Sequence, residues 1–371
     1  MRSHCRHLWL RVSCVALAAA FVPSLVLAGG LVGLANPAAG SPESYWTPER
    51  LRDARPAPAA ELDFDAVAPE PRETLAPAGP TVSGEGRAPV AGPRPAAKRL
   101  FDPADPLGVE LDGDLVGGPA GKANGSTGAY FTSARLVPLT ADRSYPYTTV
   151  GKLFFTIPGR GDFFCSAAAI KARLVLTAAQ CIHSGVSSPG FFTNFQFVPA
   201  YRDGVAPFGT WNWAYVAVPA NWTSSGGKLP NATDYGLIEV QDQPVNGVTR
   251  RLGDVVGYLG FATQKLRPNH AHLLGYASNF DGSEKMHQVT GQAFRAAANN
   301  NAEYGSDLRG GSAGAPLIQD FGDNAALVKI IGVASYYTTS APVKTEGASI
   351  PDSRFTSVLN TACAHRSGNC T

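Results

Sequence analysis

Past Leu27 the chain has no apolar run long enough to cross a bilayer, so no stable membrane anchor is expected. It also has almost no net charge. The 31 Lys and Arg against 29 Asp and Glu leave +2, too little to attract a polyanion, and no nucleic-acid partner is expected. No long amphipathic helical period and no repeat of fixed length can be traced. Cysteine is sparse at 6 residues, and two of these, Cys5 and Cys14, precede Leu27. Histidine is as sparse at 7. The alternating His270 and His272 would share one face of a strand but have no carboxylate nearby, so neither a metal nor another cofactor is expected.

What is present divides the 371 residues into three textures. Arg2, Arg6 and Arg11 precede an apolar run from Val12 to Leu27, and Val26 with Ala28 fit a small-residue cleavage site; residues 1–28 are expected to be a secretory signal peptide and the protein to be secreted, extracellular or periplasmic. Residues 29–125 are dominated by Ala, Pro and Gly with scattered charge and no periodic apolar face, which predicts a disordered pro-region or linker. Lys98-Arg99 reads as a solvated dibasic pair before it reads as a processing site. After Ala129, short runs of Val, Ile, Tyr, Phe and Thr recur between Gly, Pro, Asn and Asp at intervals of about ten residues. Val150 to Ile157, Leu174 to Thr177, Tyr235 to Val240 and Val328 to Ser335 are examples. An all-β fold is predicted, and so much short strand suits two antiparallel barrels better than one. Cys165, Cys181, Cys363 and Cys370 allow three pairings, and the local loops favour Cys165 with Cys181 and Cys363 with Cys370. Asn124, Asn221 and Asn231 stand in glycosylation sequons.

Three islands in chain order carry more specific information. Phe164-Cys165-Ser166-Ala167-Ala168 is followed by Leu174-Val175-Leu176-Thr177-Ala178-Ala179-Gln180-Cys181. About fifty residues later comes Asp234-Tyr235-Gly236-Leu237-Ile238, and about eighty further on the run from Gly305 through Gly310-Gly311-Ser312-Ala313-Gly314-Ala315-Pro316. In order and separation they resemble the trypsin-like serine protease superfamily, and the last run its glutamyl-endopeptidase branch. The resemblance covers residues 129–371 and implies two six-stranded barrels, the first over about 129–250 and the second over about 251–371. It places Gln180 where the family has its catalytic histidine, Asp234 at the orienting aspartate and Ala313 at the nucleophile. Gly311 and Ala313 then supply oxyanion-hole N–H groups, and Asp307 falls at trypsin's specificity acid.

That chemistry requires an attacking oxygen and a base that takes its proton. An amide has no protonation equilibrium near neutral pH, and a methyl group has no oxygen. Losing either nucleophile or base from such a triad costs roughly a millionfold in turnover. The expectation is an inactive homologue, monomeric, that binds a protein or peptide ligand. The alternative is an active endopeptidase using Ser312, His183 and Asp234, since Gly310-Gly311-Ser312-Ala313-Gly314 matches the hydrolase elbow pattern. Pro316 argues against it, because the family's proline follows its nucleophile by three places and so points back to Ala313.

Overall fold

The computed structural model describes residues 26–28, 30–38, 45–58, 60–69, 81–90, 94–101, 126–136, 139–245, 247–264, 266, 270–339 and 343–371. The leader expected over 1–28 lies almost wholly outside these residues, as does Asn124.

Twelve strands form two closed antiparallel barrels. The first contains β1 (Val150–Ile157), β2 (Gly161–Ala169), β3 (Leu174–Thr177), β4 (Thr193–Pro199), β5 (Trp211–Pro219) and β6 (Gly236–Val240). Its strand order is β5-β4-β1-β2-β3-β6, closed by pairing of β5 with β6. The second contains β7 (His270–Gly275), β8 (His287–Ala297), β9 (Asn301–Gly305), β10 (Pro316–Gln319), β11 (Lys329–Thr339) and β12 (Thr345–Ser349). Its order is β7-β10-β11-β12-β9-β8, closed by β7 with β8. Closure removes the exposed edges that a flat sheet of this size would leave.

Local chemistry explains the tight turns. β1 and β2 are joined by Pro158, Gly159 and Arg160, and Gly159 sits at φ +75°, a conformation open to glycine at little cost. Inside the first barrel Phe155 stacks on Phe163, Phe192 and Phe195, with centroids 5.5 to 6.4 Å apart. The helix Ser353–His365 closes the chain and buries Phe355, Val358, Leu359 and Ala362, a spacing that lies on one helical face. Asp352 caps it by accepting from Arg354 N at 2.8 Å. Asp352→Ala should therefore cost about 1–2 kcal/mol of stability, read as a lowered denaturant midpoint at unchanged slope. Cys165–Cys181 and Cys363–Cys370 are bonded as the spacing suggests.

Two expectations need correction. Phe131–Arg135 pairs with His287–Gly291 of β8, so residues 127–135 belong to the second barrel and first-barrel strands begin only at Val150. The buried Phe131 joins the second core with Val289 and Leu273. Disorder over 29–125 also fails for much of the described part. Leu31–Ala35 pairs with Tyr215–Pro219 of β5, Ser83–Gly84 with Phe261–Ala262, and Lys98–Arg99 with Val205–Ala206, leaving the side chains of the dibasic pair exposed. Single apolar anchors, among them Trp46, Leu51, Leu100 and Phe101, are buried between these contacts. These pieces add backbone to existing sheets rather than burying a face of their own, which is why no apolar period announces them.

Candidate active site

Asp234 lies two residues before β6 and is wholly buried. Its carboxylate accepts from Gln180 N to Oδ1 at 2.9 Å, from Gln180 Nε2 to Oδ2 at 2.8 Å and from Ser335 Oγ to Oδ2 at 2.6 Å. Gln180 stands in the short turn Ala179–Cys181 after β3, and the Cys165–Cys181 disulfide ties that turn back to β2. Its second amide hydrogen goes to Ser335 O at 2.5 Å. Turning the amide over would set Oε1 against a carboxylate and a carbonyl, so the polar environment selects this orientation. Both hydrogens of Nε2 are thus spent inward, and Oε1 has no protein partner among the described residues. Burial raises the Asp234 pKa to about 6, with the bonds from Ser335 and Gln180 pulling the other way.

The loop from Asp307 to Pro316 approaches the same seam. Gly310 O accepts from Ser278 N at 2.7 Å, which turns the Gly310–Gly311 peptide so that the Gly311 N–H faces the opposite side. Gly311 adopts φ +93°, and a Cβ there would lie 2.5 Å from both Tyr276 O and the Phe164 ring. Ser166 of β2 pins the loop twice, Oγ donating to Gly311 O at 2.9 Å and N donating to Ala313 O at 3.0 Å. Neither the Gly311 N–H nor the Ala313 N–H has a protein acceptor among the described residues. Ala313 O also lies 3.8 Å from Cys181 Sγ, the residue next to Gln180.

Ser312, His183 and Asp234 are not brought together. Ser312 is only 5% exposed, and its Oγ donates to Glu346 Oε1 at 2.5 Å. Ser306 Oγ holds the other oxygen of Glu346 at 3.1 Å. His183 accepts Gly185 N on Nδ1 at 2.9 Å, sets its ring edge-on to Phe191, and receives Trp222 Nε1 on its carbonyl. Burial lowers its pKa to about 4, so it is a neutral turn residue. Asp307 is 3% exposed, and its Oδ2 accepts from Ser126 Oγ at 2.5 Å and Ser133 Oγ at 2.9 Å. It faces the strand that crosses into the second barrel rather than an open specificity pocket. His270 and His272 stand 5.8 Å apart, with His272 stacked on Phe321, and no group of three metal-ligating side chains occurs among the described residues.

Sequence reasoning missed Ser335 and Glu346. A lone hydroxyl closing the apolar run Val328 to Ser335, and an acid among the small residues of Thr345–Ser349, were the available signals. Burial pushes the Glu346 pKa up to about 7, opposed by the hydrogen bond from Ser312.

Two closed six-stranded barrels with a buried aspartate and a glycine-rich loop meeting at their seam constitute the fold of the trypsin-like serine proteases. No family model and no curated protein matches the chain. Among solved structures it is similar to the protease Anisep from Arthrobacter nicotinovorans, with 28% identity over 58% of this chain and 96% of that one at TM-score 0.50. It is also similar to AL20, a thermostable serine protease from an extremophilic microorganism, with 23% identity over 59% and 98% at TM-score 0.50. A Glu endopeptidase aligns at 19% identity over 65% and 99%, again at TM-score 0.50.

Proposed function

We propose that the chain is a secreted serine protease homologue that does not cleave peptide bonds and instead holds a protein or peptide ligand in the cleft between its barrels. The observation that carries this reading is the Gln180 amide, whose two hydrogens go to Asp234 and Ser335 and whose remaining face is a carbonyl oxygen. That group keeps the contacts by which a base would be oriented, yet it cannot take up a proton. Ala313, at the place read as the nucleophile slot, brings no oxygen. The free Gly311 and Ala313 N–H groups fit an oxyanion site that grips a substrate-like carbonyl or a carboxylate without turnover. Likeness to proteases supports the scaffold, and two disulfides are consistent with an oxidising, extracellular setting.

Fluorophosphonate labelling tests the reading directly. The native chain and Ser312→Ala should both remain unlabelled, because Ser312 Oγ is bound to a buried carboxylate rather than an imidazole. Covalent labelling that Ser312→Ala abolishes would show an active serine and end the proposal.

A further inference from the structure

The seam that carries Gln180 and Ala313 is already crossed by part of the chain itself. Arg55–Pro56 pairs in parallel with Phe163–Phe164 of β2, and Ala57 N donates to Phe164 O at 2.8 Å. Ala60–Asp63 pairs in parallel with Tyr336–Thr339 of β11. These two edges flank the site. Phe164 lies two residues before Ser166, which pins the Gly311–Ala313 loop, and Tyr336 directly follows Ser335, which holds Gln180 and Asp234.

The crossing touches the site. Pro56 packs where a Cβ on Gly310 would lie 3.5 Å from its ring, and Ala57 is buried. Glu61 accepts from the Tyr337 hydroxyl at 3.2 Å, and the Arg309 guanidinium lies 4.8 Å from the centre of the Tyr337 ring. Both ends are fastened on opposite barrels. On the first, the helix Pro48–Asp53 carries Arg50, paired with Asp162 at 3.0 Å, and Trp46 Nε1 donates to Asn194 O at 2.6 Å. On the second, Arg295 lies over the Phe64 ring at 3.6 Å and donates to Phe64 O, while Val67 is buried with Ala297 and Tyr336.

We infer that residues 55–58 and 60–63 are a built-in occupant of the ligand cleft, an autoinhibitory strap lying on the two strand edges that an extended peptide ligand would otherwise extend. The inference rests on the cleft being the ligand site proposed above, but not on its being inactive. Backbone pairing supplies most of the grip and single side chains supply the register, the usual division in strand addition. Being tethered, the strap competes at an effective concentration that reaches ~mM for short linkers, so an untethered ligand of ordinary affinity is held off until the strap is displaced or cut. The ligand so recognised is an extended peptide with small or proline residues before the Gln180–Ala313 seam and an acid positioned toward Tyr337.

The test uses the full chain and a fluorescein-labelled peptide of residues 55–63. Ala57→Pro removes the N–H that bonds Phe164 O, and Glu61→Arg removes the Tyr337 contact and opposes Arg309. In the double variant the peptide should bind at least ~10-fold more tightly than in the native chain, with faster amide exchange at residues 336–339. Equal affinity in both proteins would overturn the inference, as would absence of binding once those amides are exposed. Should the double variant fail to fold, the native chain still decides: its Ala57 amide must exchange ~100-fold more slowly than a random coil, and coil-like exchange defeats the strap. A folded variant that binds the peptide and also reacts with fluorophosphonate would refute inactivity while leaving the strap intact.

Discussion

A chain carrying Gln180→His and Ala313→Ser together, with the strap released by Ala57→Pro and Glu61→Arg, should cleave casein and react with fluorophosphonate, whereas the natural chain is expected to do neither. The rest of the apparatus is assembled. Asp234 already accepts from the backbone and side chain of residue 180 and from Ser335, and among the described residues the Gly311 and Ala313 N–H groups have no protein acceptor. Triad residues act as a unit, so each single replacement should leave activity near background. The pair should recover a large share of a roughly millionfold deficit. A folded double replacement that neither cleaves nor labels, with the strap demonstrably released, would show that Gln180 and Ala313 do not occupy the reacting positions. A new histidine beside Asp234 would also bring a cation to a carboxylate that now has none, and its pKa should fall from about 6.

The contributions of Glu346 and Asp234 to stability should decline as pH rises from about 4.5 to about 7, a second large effect. His183 opposes it between about 4 and 6.5, because its lowered pKa leaves only the unfolded chain to take up that proton. Glu346 is raised from 4.5 to about 7 and Asp234 from 3.8 to about 6, both chiefly by burial. In that window the native protein retains protons on these two carboxyls that the unfolded chain has already released, so their share of the unfolding free energy falls with pH. Glu346 alone accounts for roughly 3 kcal/mol across its window. Glu346→Gln keeps the shape and the acceptor for Ser312 but does not ionise. It should flatten the profile by about that amount, measured as urea midpoints at pH 4.5, 6 and 7.5. An identical slope in the variant would mean that Glu346 is not the titrating group.

Disulfide pairing was legible because both loops are short and local, and the meeting of Gln180 with Asp234 was legible because three motif islands kept order and distance. Ser335 and Glu346 were not, because a polar residue inside a strand reveals nothing of its partner when that partner lies far along the chain. Glu346 meets Ser312 across a separation of 34 residues, and Ser335 meets Asp234 across 101. Phe131–Arg135 was counted with the first barrel because it precedes that barrel's strands in the chain, and its sequence alone does not say that it would pair with His287–Gly291. Ala- and Pro-rich sequence suggested disorder over 29–125 because a two- or four-residue strand that lies on another sheet needs backbone groups and isolated anchors, not amphipathic periodicity.

The latch between Gly310 O and Ser278 N bears on what release of the strap would change. The Gly311–Ala313 corner is already shaped with residues 55–58 and 60–63 in place, and Ser312 is fixed by its bond to Glu346. Trimming or peeling away the amino-terminal region would therefore act as a door and not as a mould: it would change what can reach the corner and leave the corner's form as it was.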